Sequence, residues 1–227
     1  MKERPILFSG PMVRALLCGT KTETRRVVKP QPYIDPHGNF CWNGWNYGQD
    51  FSGPHIQAIA SPLPSSRTGR VLCPYGKPGD RLWVRETFAD LRGTGIEHRP
   101  DPSGPLKRFA FAADHPPGSN GDEARKEFGV KWKPSIHMPR AASRITLEIT
   151  GVRVERLIDI SEADAKAEGV TRTPYPDHFL GPGLTPQESH VHRNLFAGLW
   201  KSINGADSWA ANPWVWVVEF KRLEQPA

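Results

Sequence analysis

Gly19-Thr20-Lys21-Thr22-Glu23-Thr24-Arg25-Arg26 is the joint from which the fold can be read. Ahead of it Met12, Val13, Ala15, Leu16 and Leu17 make a short apolar run behind Ser9, a residue suited to an N-cap. The run stops at Gly19, the residue most at ease in the left-handed conformation that ends helices. The polar octet therefore leaves a helix and enters an extended segment, Thr24 to Val28, that Pro30 closes. Side chains alternate along such a segment, which puts Thr22, Thr24 and Arg26 on one face and Glu23 and Arg25 on the other. Lys21, at the bend, leans toward the first group. An amine beside a hydroxyl with guanidinium charge close by is the pattern of an activated nucleophile: neighbouring positive charge disfavours the ammonium form, and neutral lysine can take the hydroxyl proton. The same residues also suit a solvated strand start or a phosphate contact, so the pattern alone leaves three readings open.

Outward from the joint, Arg4 to Phe8 reads as a short strand on the N-terminal side. Downstream, Pro78-Gly79-Asp80 is a tight turn, and Arg81 to Phe88 is a strand with Leu82, Val84 and Glu86 on one face. A carboxylate beside Leu82 and Val84 is out of place: Glu86 either pairs with an arginine of the octet or emerges where water reaches the strand end. From Ala142 to Leu157, Ile145, Leu147, Ile149, Val152 and Val154 alternate with Thr146, Glu148, Thr150, Arg153 and Glu155. That period predicts one long strand, or two bent at Gly151.

Ser161-Glu162-Ala163-Asp164 is a capping box, and the helix it opens runs Glu162 to Glu168 and ends at Gly169. Glu168 thus falls in a last turn, where the helix dipole opposes a carboxylate, and local violations of this kind gather at functional sites. Thr185-Pro186-Gln187-Glu188 starts another helix whose buried stripe is Val191, Leu195, Leu199 and Trp200, reaching about Ile203. Pro213 to Leu223 is a nearly continuous apolar strand, suited to the interior of a closed sheet.

Two regions, about 31–77 and 89–141, break this order and read as long loop insertions in a single domain spanning 1–227. The first holds Tyr33, Phe40, Trp42, Trp45, Tyr47 and Phe51 without elements of its own. Trp42, Trp45 and Tyr47 either stack on bases or, the favoured reading, pin the insertion to the core. In the second, Lys107 to Ala113 can be a strand and Asp122 to Phe128 a short helix. Pro134 and Pro139 stiffen Lys131 to Arg140 into an extended pocket wall, with His137 and Arg140 as binding candidates.

The chain of 227 residues can bury a core without staples, and its three cysteines, Cys18, Cys41 and Cys73, follow no CxxC pattern, as expected of reduced thiols in a cytoplasmic protein. No apolar stretch reaches the length of a membrane span, so no membrane partner is expected. A net charge of +6 and a pI near 9.4 favour a phosphate-bearing partner, and scattered basic residues suit a nucleotide-sized ligand or a modest single-stranded nucleic acid better than duplex DNA. A Gly-rich phosphate loop, a GxSxG elbow, HExxH and paired CxxC are all missing, and His190 and His192 have the wrong spacing for one helical face. No cofactor or metal is expected.

Several short strands, two capped helices and long loops suggest an α+β fold, a small mixed β-barrel with flanking helices. The sequence resembles the ASCH family, whose members have a PUA-like barrel. Gly19, Lys21 and Arg26 fit its GxKxxExR signature with Thr24 in the glutamate position; Pro78 to Val84 fits its GD-x-L-x-V strand, Ile160 to Glu168 its helix, and Val217 to Leu223 its closing strand. The whole looks like the longer members carried by bacteriophages and prophages. With threonine at position 24 the chain is similar to members that are amidohydrolases of N4-acetylcytidine and use a lysine, a threonine and a glutamate. The resemblance implies Thr24 as nucleophile on an N-acyl cytosine-type nucleoside, Lys21 as its base, and Glu168 as the group that holds the lysine or protonates the leaving amine. Arg26, Glu86, His137 and Arg140 are the substrate-binding candidates. The alternative is a single-stranded RNA or DNA or modified-base binding module without catalysis.

Overall fold

The computed structural model describes residues 1–42, 45–46, 56–57, 73–95, 97, 106–170 and 191–224, with only the backbone of 45, 46, 56 and 57. In chain order the elements are β1 (Glu3–Leu7), α1 (Gly10–Leu17), β2 (Glu23–Val27), β3 (Tyr33–Ile34), β4 (Phe40–Trp42), β5 (Trp45–Asn46), β6 (Ile56–Gln57), β7 (Arg81–Arg85), β8 (Phe88–Asp90), β9 (Phe109–Phe111), α2 (Asn120–Glu127), β10 (Thr146–Arg156), α3 (Glu162–Ala167), α4 (Val191–Asn204) and β11 (Trp214–Leu223). The fold is α+β, with a multi-strand sheet and few helices. Trp45 and Tyr47 as stacking groups, and the helix start at Thr185, lie outside the described side chains and residues.

The chain forms two compact units. The first comprises Met1–Gly19, Arg81–Leu147 and Arg222–Ala227. Here β1 and β7 run parallel with Glu3 opposite Arg81 and Leu7 opposite Arg85. Between β1 and the octet, α1 buries Val13 and Leu16 and ends as its sequence predicts, with Gly19 at φ +74°. β8 and β9 pair antiparallel, and Phe88, Met138 and Ala142 pack with Phe109 and Phe111 beside them. Ala89, Leu91 and Val130 form a smaller cluster with Ala110 and Trp132. The expected extended wall from Lys131 to Arg140 is not wholly extended: Pro134 and Pro139 each precede a short 3-10 turn, Ser135–His137 and Arg140–Ala142. A proline φ near −65° serves a turn entrance as well as an extended chain, so proline alone did not decide between them.

The second unit comprises Thr20–Asp80 and Glu148–Lys221. β11 lies between β10 and β2, and β6 pairs with β10. Antiparallel pairing sets Thr24 opposite Val218 and Glu23 opposite Glu219. Trp214 to Val218 are buried without alternation, as their continuous apolar run requires of a central strand covered on both faces. Leu157, Ile160, Ala165, Val170, Phe196, Trp200, Val215 and Val217 make the core cluster, with Leu195, Leu199 and Trp209 at its margin. Each buried Val, Leu, Ile or Phe side chain among them contributes about 1.5–3 kcal/mol of transfer free energy.

Residues 33–42 and 45–46 are not the structureless loop expected: β3, β4 and β5 form a three-stranded antiparallel sheet. Asp35 seeds its turn by accepting the N–H groups of His37 and Asn39, a local side-chain turn easily missed amid Pro and Gly. The indole of Trp42 lies 5.6 Å from that of Trp216 and donates to the carbonyl of Pro30, while Phe40 meets Trp214 edge-on at 5.4 Å. These contacts anchor the small sheet to β11, the packing role favoured for Trp42.

Candidate active site

The centre of the second unit's polar interior is the junction of α3 with the start of β2. Ser161 caps α3 in a reciprocal box, its hydroxyl accepting from the Asp164 N–H and the Asp164 carboxylate accepting from the Ser161 N–H. Glu168 is the C-cap, and Gly169 at φ +80° ends the helix. A β-bridge joins Lys21 to Glu168, and the flanking Thr22 N–H donates to the Ala167 carbonyl. The amine is thereby delivered to the helix end.

Lys21 Nζ donates to Glu168 Oε2 at 2.6 Å and to the Glu168 carbonyl at 2.8 Å, and both side chains are almost wholly buried. One ammonium thus satisfies a terminal helix carbonyl and offsets the carboxylate placed against the dipole. Burial pushes the Lys21 amine below the ordinary lysine range, with Glu168 pulling it back and Arg26 pushing it further down.

Thr24 sits three residues on, buried in β2 and opposite Val218. Alternation sends its side chain to the face opposite Glu23 and Arg25. The Lys21–Glu168 pair lies at the strand's start, where residues of both faces act on it: Arg25 from one and Arg26 from the other. Burial lowers the proton affinity of Arg26, with Tyr75 and Glu168 opposing, and burial raises that of Tyr75, with Arg26 opposing. Arg26 therefore has the Glu168 carboxylate and the Tyr75 phenol in its field.

Behind this pair lies an ionic network that the residue pattern did not reveal. Arg25 donates from Nε and Nη2 to Glu155 Oε1 at 2.9 and 2.5 Å, from Nη1 to Glu23, and from the same Nη1 to Glu168 Oε1 at 3.4 Å. Asp164 lies 3.4 Å from Nη2, and the guanidinium covers the ring of Phe196. Arg153 extends the network to Glu155, Asp164, Glu23 and Glu219. Burial is the largest influence on Arg25, yet the attraction of Glu23, Glu168 and Glu155 outweighs it and holds the guanidinium protonated. For Glu23 burial wins over Arg25, and its carboxyl is raised to about 7. Glu155 is fully buried although strand alternation assigned it to the polar face; both faces of β10 are covered there, since Val154 is buried too. The available signal was the Glu23-x-Arg25 spacing, which puts opposite charges on one strand face.

The remaining candidates lie in the first unit. Glu86 is buried and follows neither expected alternative: its carboxylate is held by Arg144 Nε and Nη2 at 2.9 and 3.0 Å, and Arg144 also binds Asp114. Burial raises the Glu86 carboxyl, with Arg144 pulling it down. His137 is exposed in its 3-10 turn. Arg140 binds Glu3 at 3.1 Å and lies over the indole of Trp83 at 6.0 Å. Lys21, Thr24, Arg26 and Glu168 thus belong to one unit, and Glu86, His137 and Arg140 to the other.

Among the described residues no cluster of His, Cys, Asp and Glu has the geometry of a metal site, and no helix is long and apolar enough to cross a membrane. No protein-family model, curated protein or solved structure matches the chain.

Proposed function

We propose that the protein is an ASCH-type domain with a PUA-like barrel that hydrolyses the N-acyl group of a modified cytosine nucleoside or a related base. The observation that carries this reading is the Lys21 amine buried on the Glu168 carboxylate, three residues ahead of the buried hydroxyl of Thr24. A threonine hydroxyl has a pKa far above neutrality and needs an adjacent base, and a lysine driven toward neutrality by burial can be one.

In this reading the Thr24 oxygen attacks the amide carbonyl carbon while its proton passes to Lys21 Nζ. The oxyanion is stabilised by Arg26 or backbone N–H donors. Collapse breaks the C–N bond, and the exocyclic nitrogen leaves with a proton supplied through Glu168. Water then cleaves the threonine ester, giving the free carboxylic acid and restoring the hydroxyl. Because Thr24 is buried, substrate has to enter beneath the surface that covers it.

Chromatography of N4-acetylcytidine after incubation with the protein tests the reading. Cytidine is expected from the wild type and not from Lys21→Ala; full activity in Thr24→Val would remove the mechanism.

A second reading, single-stranded nucleic acid binding, is favoured by the first unit, where Arg85 and Arg140 both lie over Trp83. Arg25 and Trp42 do not serve it, since both are internal. It predicts affinity for single-stranded RNA that falls steeply with added salt; salt-independent affinity, or none, would dismiss it.

A further inference from the structure

We infer that Arg25, clamped by Glu155, is a positioning residue that divides the Glu168 carboxylate between itself and Lys21 and so fixes how that carboxylate meets the amine. Its bearing on chemistry rests on the acyl-transfer reading above; its geometry does not.

The two oxygens of Glu168 have different partners. Oε2 takes Lys21 at 2.6 Å, and Oε1 faces Arg25 Nη1 at 3.4 Å. The long second contact has a visible cause, because the same Nη1 is shared with Glu23 while Nε and Nη2 are both drawn to Glu155 Oε1. Glu155 therefore holds the guanidinium back from Glu168 and leaves that carboxylate biased toward the lysine. A planar fork holds these carboxylates at fixed angles through rigidly placed donors, whereas an ammonium is a rotatable point charge that does not fix them so.

Among the described residues, charged groups from several elements enter the balance. β2 supplies Glu23, Arg25 and Arg26; β10 supplies Arg153 and Glu155; α3 supplies Asp164; β11 supplies Glu219, reached through Arg153; and Tyr75 faces Arg26. Two substitutions move this balance in opposite senses. Arg25→Lys keeps the charge but loses the fork, so Glu168 Oε1 is released and the carboxylate is fully available to Lys21. Glu155→Gln removes the charge that restrains Arg25, so the guanidinium moves onto Glu168 and competes with Lys21 for it.

The experiment reads the titration midpoint of Lys21 from the Cε–Hε NMR signals of lysine-labelled protein, assigned by Lys21→Arg, and needs no substrate. Expected are a higher midpoint in Arg25→Lys and a lower one in Glu155→Gln, each by about one pH unit, which is tenfold in proton affinity. Unchanged midpoints, or shifts of the same sign in two folded variants, would overturn the proposal. If either variant fails to fold, the sign in the other decides. Failure of the wild type to cleave acylated cytidines would dismiss the hydrolase reading and leave this result standing. If cleavage is found, the acidic limb of its pH profile, where Lys21 loses its proton and becomes a base, moves with the midpoint in each variant.

Discussion

At the scale of single residues, Lys21 and Glu168 are held together by more than charge. A buried ion pair earns little net stability because desolvation consumes the Coulombic gain, but here the amine also saturates the helix-end carbonyl. Removing one partner strands the other: Lys21→Ala leaves the buried Glu168 without its 2.6 Å partner, and unfolding in urea is expected to show a loss of about 3–5 kcal/mol. Lys21→Met, which fills similar volume, also strands Glu168, and a loss of comparable size is expected. For Thr24 the outcome differs. Thr24→Val is near isosteric, so stability is expected to change little while turnover of an acylated cytidine falls about a hundredfold or more, as loss of an activated nucleophile requires. Equal losses of stability and turnover would assign Thr24 to packing alone.

At the scale of elements, α3 is the device that carries Glu168 to Lys21, and both its ends matter. Ser161→Ala removes the reciprocal cap and is expected to cost about 1 kcal/mol, read from thermal or urea unfolding. Gly169→Ala puts a side chain at φ +80° and is expected to cost about 1–2 kcal/mol. Because Glu168 immediately precedes it, this substitution is also expected to lower turnover more than Ser161→Ala does.

Most of these elements were legible in the residues: α1 from Ser9 to Gly19, the capping box of α3, the alternation of β10 and the unbroken apolar run of β11. The small sheet β3–β5 was not, because its strands are too short to carry a period and its turn depends on the Asp35 side chain. Glu155 was misassigned for a related reason: alternation reports two faces but not whether both are covered. The Lys21–Glu168 meeting was an expectation implied by resemblance, and no local pattern fixes a contact between residues so far apart. Arg25 and its carboxylates were missed because strand charges ordinarily face water, and only tertiary pairing turns them inward.

At the scale of the whole molecule, buried carboxyl groups shape the pH dependence of stability. Glu23 has its carboxyl raised from 4.5 to about 7 in the folded state. Between those values the folded protein binds the proton more than the unfolded chain does, so the stability due to this group is complete below about 4.5 and is lost as pH rises through about 7. Glu86, raised by burial in the first unit, acts with the same sign. Tm is therefore expected to decline across this window, and to decline less in Glu23→Gln; a slope unchanged by that substitution would show that Glu23 stays ionised throughout.

The most direct measurement is the conversion of N4-acetylcytidine to cytidine and acetate by the wild type, Lys21→Ala and Thr24→Val side by side, with folding of each verified by circular dichroism. Acyl transfer at Lys21, Thr24 and Glu168 predicts product from the wild type alone. Intact substrate in all three samples, or product from folded Thr24→Val at the wild-type rate, would contradict it.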